Sequence, residues 1–257
     1  MDENITLHLG HYRKYLIESS NLIIVTGEFS KVDYSRKLYE QRFNIKTIED
    51  ADYLKLMEAA ALSAAVLADK ESWGWTLSLK GKNTGFFCAV EPEGSICGRA
   101  NPADEELSKI YLQRQKKNVN APMMQSHYDP ETSDPVKAIE QYFRQVEQTR
   151  TRIEVNDDYE GILLQELPDA EPGDYFSMVR DELFLTVRKN LEDKNYKPLK
   201  EFLIFYDCRC NDEMILDMVD SFPESQKNEL WDENGKLEME CPRCGRKYII
   251  EKKDTLN

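Results

Sequence analysis

Histidine is scarce: His8, His11 and His127 are the only three in 257 residues. They are too few and too scattered for a histidine-based catalytic set, and neither an HExxH helix nor a nucleophile elbow is present. Positive charge is also short, with 34 Lys and Arg against 48 Asp and Glu, a formal net charge of −14. That balance argues against nucleic acid or an anionic membrane surface as the main partner. No apolar run approaches the roughly 20 residues of a bilayer-spanning helix. The first residues, Met1-Asp2-Glu3-Asn4, are acidic and polar, unlike a secretory leader. Asn4-Ile5-Thr6 fits a glycosylation sequon only formally, because nothing directs secretion. A phosphate loop is missing too. Gly81-Lys-Asn-Thr-Gly85 has neither P-loop nor GxGxxG spacing, leads into another strand, and reads as a hairpin turn. These absences leave a soluble, cytoplasmic protein and no recognisable enzyme chemistry.

Cysteine is what the chain has. Of six, four fall in its last fifth as Cys208-Arg-Cys210 and Cys241-Pro-Arg-Cys244, separated by residues 211–240. Without a leader, this usage fits a reducing compartment better than a disulfide framework. A CxC hook and a CxxC knuckle can fold together so that four thiolates surround one ion. Four sulfurs in tetrahedral geometry select zinc most readily, with an iron–sulfur centre as the rarer option. Gly245 is free to take the positive φ that a knuckle turn needs. Phe205 and Tyr206 before the first pair, and Tyr248-Ile249-Ile250 after the second, place both pairs at strand ends. Two alternatives use the same residues. A dithiol oxidoreductase motif would start a helix, whereas Cys244 is followed by Gly245 and a β-branched stretch. A structural zinc ribbon would usually carry two CxxC knuckles and often a basic face. Here residues 211–240 hold ten acidic residues against Lys227 and Lys236, a net charge of −8. Cys88 and Cys97 lie among strands and read as small buried hydrophobes.

Periodicity gives an outline of the remainder. Residues 22–27 form a β-branched strand, residues 33–45 an ambiguous segment with possible helix, and Tyr53–Ala68 an Ala-rich helix. Residues 73–80, 86–90 and 95–99 make a glycine-punctuated strand meander. Pro102 to Pro135 is polar and reads as loop or weak structure. Val136–Arg150 is a helix striped by Ile139, Tyr142, Phe143 and Val146, followed by strands at 152–155 and 161–165. Pro168–Asp174 is a linker, and Tyr175–Leu191 a helix leading to the cysteines. Its stripe of Phe176, Val179, Leu183, Phe184 and Val187 is either ordinary core or apolar surface that is covered at rest.

With these blocks placed, the chain resembles the heat shock protein 33 family of redox-regulated holdase chaperones. The CxC and CxxC at Cys208, Cys210, Cys241 and Cys244 are the family's hallmark. The Ala-rich helix, Leu77-Ser-Leu-Lys-Gly81, Gly85-Phe-Phe-Cys-Ala-Val90 and Gly98-Arg-Ala-Asn-Pro102 follow its first domain. Tyr142-Phe143, Glu147-Gln148 and Gly161-Ile-Leu-Leu-Gln165-Glu-Leu-Pro168 echo a later block. The stretch from Pro102 to Tyr142 is shorter than the family's, Val146 replaces an expected Ser, and Asn211-Asp-Glu213 replaces a basic run. The resemblance implies an α+β protein in three parts: an N-terminal mixed sheet and helix core, 1–167; a mainly helical linker, 168–206; and a zinc module, 207–257. It further implies one Zn2+ per chain, with Cys208–Cys210 and Cys241–Cys244 closing as disulfides on oxidation. Unfolded client proteins are then bound without ATP, and dimerisation accompanies activation. A degenerate relative with a constitutive structural zinc module is the alternative.

Overall fold

The computed structural model describes residues 8–46, 50–66, 70–117, 122–223, 226 and 229–251. In chain order it opens with a hairpin of β1 (Gly10–Ile17) and β2 (Leu22–Glu28), then α1 (Ser30–Arg42) and α2 (Ala51–Ala64). Strands β3 (Glu71–Ser78), β4 (Thr84–Val90), β5 (Ser95–Pro102), β6 (Lys109–Lys116) and β7 (Met124–Tyr128) follow. Next come α3 (Pro135–Gln145), β8 (Thr151–Val155), β9 (Glu160–Glu166), α4 (Arg180–Glu192) and β10 (Lys197–Tyr206). Beyond the first cysteine pair lie α5 (Asp212–Asp220), β11 (Lys236–Glu240) and β12 (Lys247–Glu251).

Strands β1 to β10 form one sheet in the order β7-β6-β3-β4-β5-β10-β1-β2-β9-β8. Its antiparallel halves meet at β10, which pairs antiparallel with β1 (Gly10 opposite Ile204) and parallel with β5 (Tyr206 opposite Ile96). Local sequence explains the meander: Trp73, Trp75 and Leu77 of β3 point inward while Gly74, Thr76 and Ser78 alternate with them. Two of the helices on the inner face have ordinary starts. Asp50 caps α2 by accepting from the Asp52 amide at 2.8 Å, and Asp134 caps α3 ahead of Pro135. Alternation along β2 and β9 serves two layers. Ile23, Val25 and Leu163 face the α1–α3 core, whereas Leu22, Ile24, Ile162 and Leu164 face α4. Leu183 and Val187 of α4 are buried there, Phe176 and Phe184 pack alongside, and Val179 at the helix start is exposed. Among the described residues no helix is long and apolar enough to cross a membrane.

Four strands differ from the sequence reading. β1 has no counterpart in the outline read from periodicity, and a bulge between Lys14 and Tyr15 breaks its alternation. Strands β6 and β7 occupy the supposed loop between Pro102 and Pro135; of β6 only Ile110 and Leu112 are buried, and β7 forms the polar edge. Within the span read as mainly helical, α4 is followed by ten residues of strand, β10, whose first half is exposed and charged. The Ala68 end of the Ala-rich helix and the Asn4 sequon lie outside the described residues.

One polar pair sits inside the inner core. Glu58 of α2 is fully buried, and the Tyr12 hydroxyl donates to its Oε2 while Oε1 has no hydrogen-bond partner among the described residues. Glycine makes the room: a Cβ on Gly161 would collide with Oε1, and one on Gly27 with the Tyr12 ring. Burial pushes the Glu58 carboxyl up from 4.5 to about 8; the Tyr12 hydrogen bond pulls it down and Glu28 pushes it further up. The folded chain therefore holds a proton that the unfolded chain releases. The associated stability is complete below pH 4.5 and is lost as pH rises to about 8. Each pH unit across that window removes at most about 1.4 kcal/mol. Glu58→Gln, neutral at every pH, is expected to be more stable than the wild type at pH 8.5 and to match it near pH 5. Urea unfolding midpoints at both pH values check this, and a difference that does not change with pH would contradict it.

Candidate metal centre

The site is built where β10 leaves the sheet. The Asp207 amide donates to the Ile96 carbonyl at 3.1 Å, so the chain still lies against β5 when it reaches Cys208 and Cys210. Asn211 then turns it into α5 by accepting from the Met214 amide at 2.8 Å, and Ile215 and Val219 pack inward. Strands β11 and β12 pair from Lys236 opposite Glu251 to Glu240 opposite Lys247. The knuckle Cys241–Cys244 is the turn between them. The Cys241 amide donates to Arg246 at 2.8 Å, and the Gly245 amide donates back to Cys241 at 2.9 Å. Gly245 has φ +81°, the left-handed conformation its position in the motif called for. Both pairs thus stand at strand ends, as the flanking aromatic and β-branched residues indicated.

The four sulfurs converge. Every Sγ of Cys208, Cys210, Cys241 and Cys244 lies within 4.8 Å of the other three, and all four residues are buried, none more than 6% exposed. Across the two motifs, Cys208 is 3.9 Å from Cys241 and Cys210 is 3.6 Å from Cys244. A tetrahedron with zinc–sulfur bonds of about 2.3 Å has an edge of about 3.8 Å. The spacing and the all-thiol donor set therefore fit one tetrahedral ion. All four are free thiols that share protons unevenly. Hydrogen bonding from Cys208 lowers Cys210 to about 6 and, together with Cys210 and Cys244, lowers Cys241 further. Cys208 is pushed up by its bonds to the other three. Cys244 is also pushed up, against the pull of Cys208, by its bonds to Cys210 and Cys241. Two sulfurs are thus held toward the thiolate that a cation takes.

Side chains beyond the four cysteines surround the sulfurs, most of them from the core. The Tyr248 hydroxyl donates to Cys210 Sγ at 3.0 Å, within the module itself. From α1, the Tyr39 hydroxyl lies 3.6 Å from Cys244 Sγ and 4.0 Å from Cys210 Sγ. Arg99 of β5 donates to the Cys241 carbonyl at 3.4 Å and pairs with Glu240 at 3.1 Å. Arg246 lies over the Phe43 ring, 4.0 Å from its centroid. Cys97, buried on β5, helps push the Cys208 thiol up. Tyr248 apart, each meets a partner more than a hundred residues away in the chain, and none belongs to a motif.

A sequence profile of the Hsp33 protein family matches residues 35–251. The chain belongs to that family. A 33 kDa chaperonin of Hahella chejuensis is 31% identical over 140 residues, 46% of this chain and 49% of the relative. One from Pectobacterium atrosepticum is 25% identical over 142 residues, 46% and 48% of the two chains. The chain spans about half the length of the curated relatives it matches. A crystal structure of the Thermotoga maritima 33 kDa chaperonin, a heat shock protein 33 homologue, superposes with a TM-score of 0.68 over 96% of both chains. At 16% identity that likeness is one of fold. The mixed α+β class and the resemblance drawn from the cysteine motifs both hold. The region between Pro102 and Tyr142 supplies β6 and β7, which complete one edge of the sheet.

If the four thiols form one site, Cys241→Ser purified under reducing conditions is expected to lose most of the metal carried by the wild type. Cys88→Ala, altered on β4 at a thiol outside the four-sulfur cluster, is expected to keep it. Elemental analysis per chain checks both, and full metal content in Cys241→Ser would exclude the cluster as the site.

Proposed function

We propose that this chain is a redox-regulated, ATP-independent holdase chaperone, with one zinc ion held by Cys208, Cys210, Cys241 and Cys244. The convergence of four buried free thiols at the end of β10 carries the reading. Bound zinc would hold the four sulfurs as thiolates and supply roughly 10 kcal/mol or more of apparent folding free energy to the module. Little else holds that module together. Its buried aliphatic residues are few, chiefly Ile215, Val219, Leu237 and Ile250, and its acidic insert carries a net charge of −8. Loss of the ion would therefore loosen residues 207–251 as a unit.

Thiolate sulfurs are the groups that peroxide or hypochlorite attacks. Attack converts one thiolate to a sulfenic acid; its neighbour displaces water from that sulfur, and a disulfide forms. Repeated at Cys208–Cys210 and Cys241–Cys244, this consumes two equivalents of peroxide and removes all four ligands. The consequence at a distance runs through β10, which joins the cysteines to α4. Released from the sheet, α4 would uncover Leu22, Ile24, Ile162 and Leu164, an apolar face suited to unfolded client proteins. On this reading 1–167 is the client-binding core, 168–206 the cover, and 207–257 the switch, in a cytoplasmic protein that is not an enzyme and dimerises when active. A constitutive structural zinc module is the second reading. The near-complete burial of the four thiols favours it, because burial slows access by oxidant.

The reduced protein is expected to hold one zinc per chain, to lose it under peroxide at mildly elevated temperature, and only then to suppress aggregation of a thermally unfolding client. Zinc release and light scattering followed together check this. Zinc retained under peroxide, or released with no gain in client binding, would leave only the structural module.

A further inference from the structure

Each cysteine motif encloses an arginine, and both arginines end on one carboxylate. Arg209 stands between Cys208 and Cys210, and Arg243 between Cys241 and Cys244. Their common partner is Glu91 in the β4–β5 turn of the core, more than a hundred residues earlier in the chain. Arg243 Nη2 donates to Glu91 Oε1 at 2.5 Å, and Arg209 Nη1 to Oε2 at 3.3 Å. The Ser72 hydroxyl donates to Oε2 at 2.6 Å. The Glu91 main chain is fixed as well: its amide donates to Ser95 and its carbonyl accepts from Gly94, each at 2.9 Å.

Burial ranks the three charged groups. The Glu91 side chain is 4% exposed, that of Arg243 17% and that of Arg209 54%. The Arg243 pair is therefore shielded from solvent, whereas Arg209 reaches in from the surface. A carboxylate this buried stays charged only because its partners stay in place. Conversely, without Glu91 two guanidinium groups would face each other with no anion between them. The two motifs are separated by residues 211–240, so their relative placement depends on groups outside the motifs. Glu91 contacts both.

We propose that Glu91 is a positioning residue of the metal centre, holding the two cysteine turns in register and docked on the core through Arg209 and Arg243. It touches no sulfur, and it acts through the arginines. The inference rests on the four cysteines being the metal site. It also gives the site a mechanical link to the core. A turn that rearranges to close its own disulfide shifts its arginine, and the strain falls on the carboxylate that the other turn also uses. Groups that orient metal ligands from outside the coordination sphere typically change metal affinity by about 10- to 100-fold when removed.

The test is zinc transfer to a competing chelator from the reduced protein, held well below its melting temperature. Glu91→Gln keeps the side chain's shape and loses its charge; transfer is expected to be at least about tenfold faster than in the wild type. Glu91→Asp is expected to recover part of that loss. Arg243→Gln combined with Glu91→Gln is expected to be little worse than either alone. Limited proteolysis supplies a readout independent of zinc: residues 211–240 of Glu91→Gln should be cut faster while the core stays intact. Should Glu91→Gln not fold, Arg209→Gln, altered at the exposed partner, is expected to speed transfer in the same direction by less. Wild-type transfer rates in Glu91→Gln, or in Arg209→Gln where that variant takes its place, would overturn the proposal, as would additive effects of the Glu91 and Arg243 substitutions. A wild type that binds no zinc would instead overturn the metal reading itself, and with it the role assigned to Glu91.

Discussion

Strand β10 is the constraint on which the rest of this molecule depends. It is the one strand shared by both halves of the sheet, pairing with β1 on one side and β5 on the other. It begins five residues after α4 ends and stops two residues before Cys208. The cover helix, the sheet junction and the first pair of sulfurs are therefore consecutive on one short piece of chain. Main-chain pairing with β1 runs from Lys197 to Ile204, and leaving the sheet costs those bonds together. Its parallel contact with β5 is short, and the Tyr206 hydroxyl strengthens it by donating to the Gly98 carbonyl at 3.2 Å. Whatever holds Cys208 and Cys210 in place also holds the end of this strand.

The module beyond Cys208 illustrates how a small, acidic segment can be ordered without a large core of its own. Its hydrophobic residues belong to the same cluster as the inner core, so it is docked rather than free-standing. Polar contacts complete the docking, with Arg99, Arg246, Arg209 and Arg243 distributed across the boundary. In a chain with formal charge −14, these arginines lie where acidic and sulfur groups gather. Ion pairs at exposed positions are worth little, about 0–1 kcal/mol each. The pair made by Arg243 is shielded and stands apart from the others in that respect.

How much of this was legible in the sequence follows from locality. The four sulfurs were legible because CxC and CxxC are patterns of adjacent residues, and Gly245 because its conformation is a local property. Strand β3 was legible because both alternation and burial are carried within eight residues. Strand β10 was not, since its first half is solvent-exposed and its partners are β1 and β5, far away in sequence. The same holds for Tyr39, Arg99 and Glu91. An isolated tyrosine, arginine or glutamate carries no sign of the sulfur or guanidinium it will meet a hundred residues away. The stripe on α4 was visible as apolar spacing, but which surface it covers depends on the two-faced burial of β2 and β9. Motif chemistry is local, whereas the coupling that would make a motif into a switch is tertiary.

Hydrogen exchange of the reduced protein, measured with its metal in place and again after removal by a chelator, tests the central claim most directly. If metal, strand and cover helix are coupled through β10, protection is expected to fall in residues 180–192 and 197–206 as well as in 207–251. Loss of protection confined to 207–251, with α4 and β10 unchanged, would contradict that coupling.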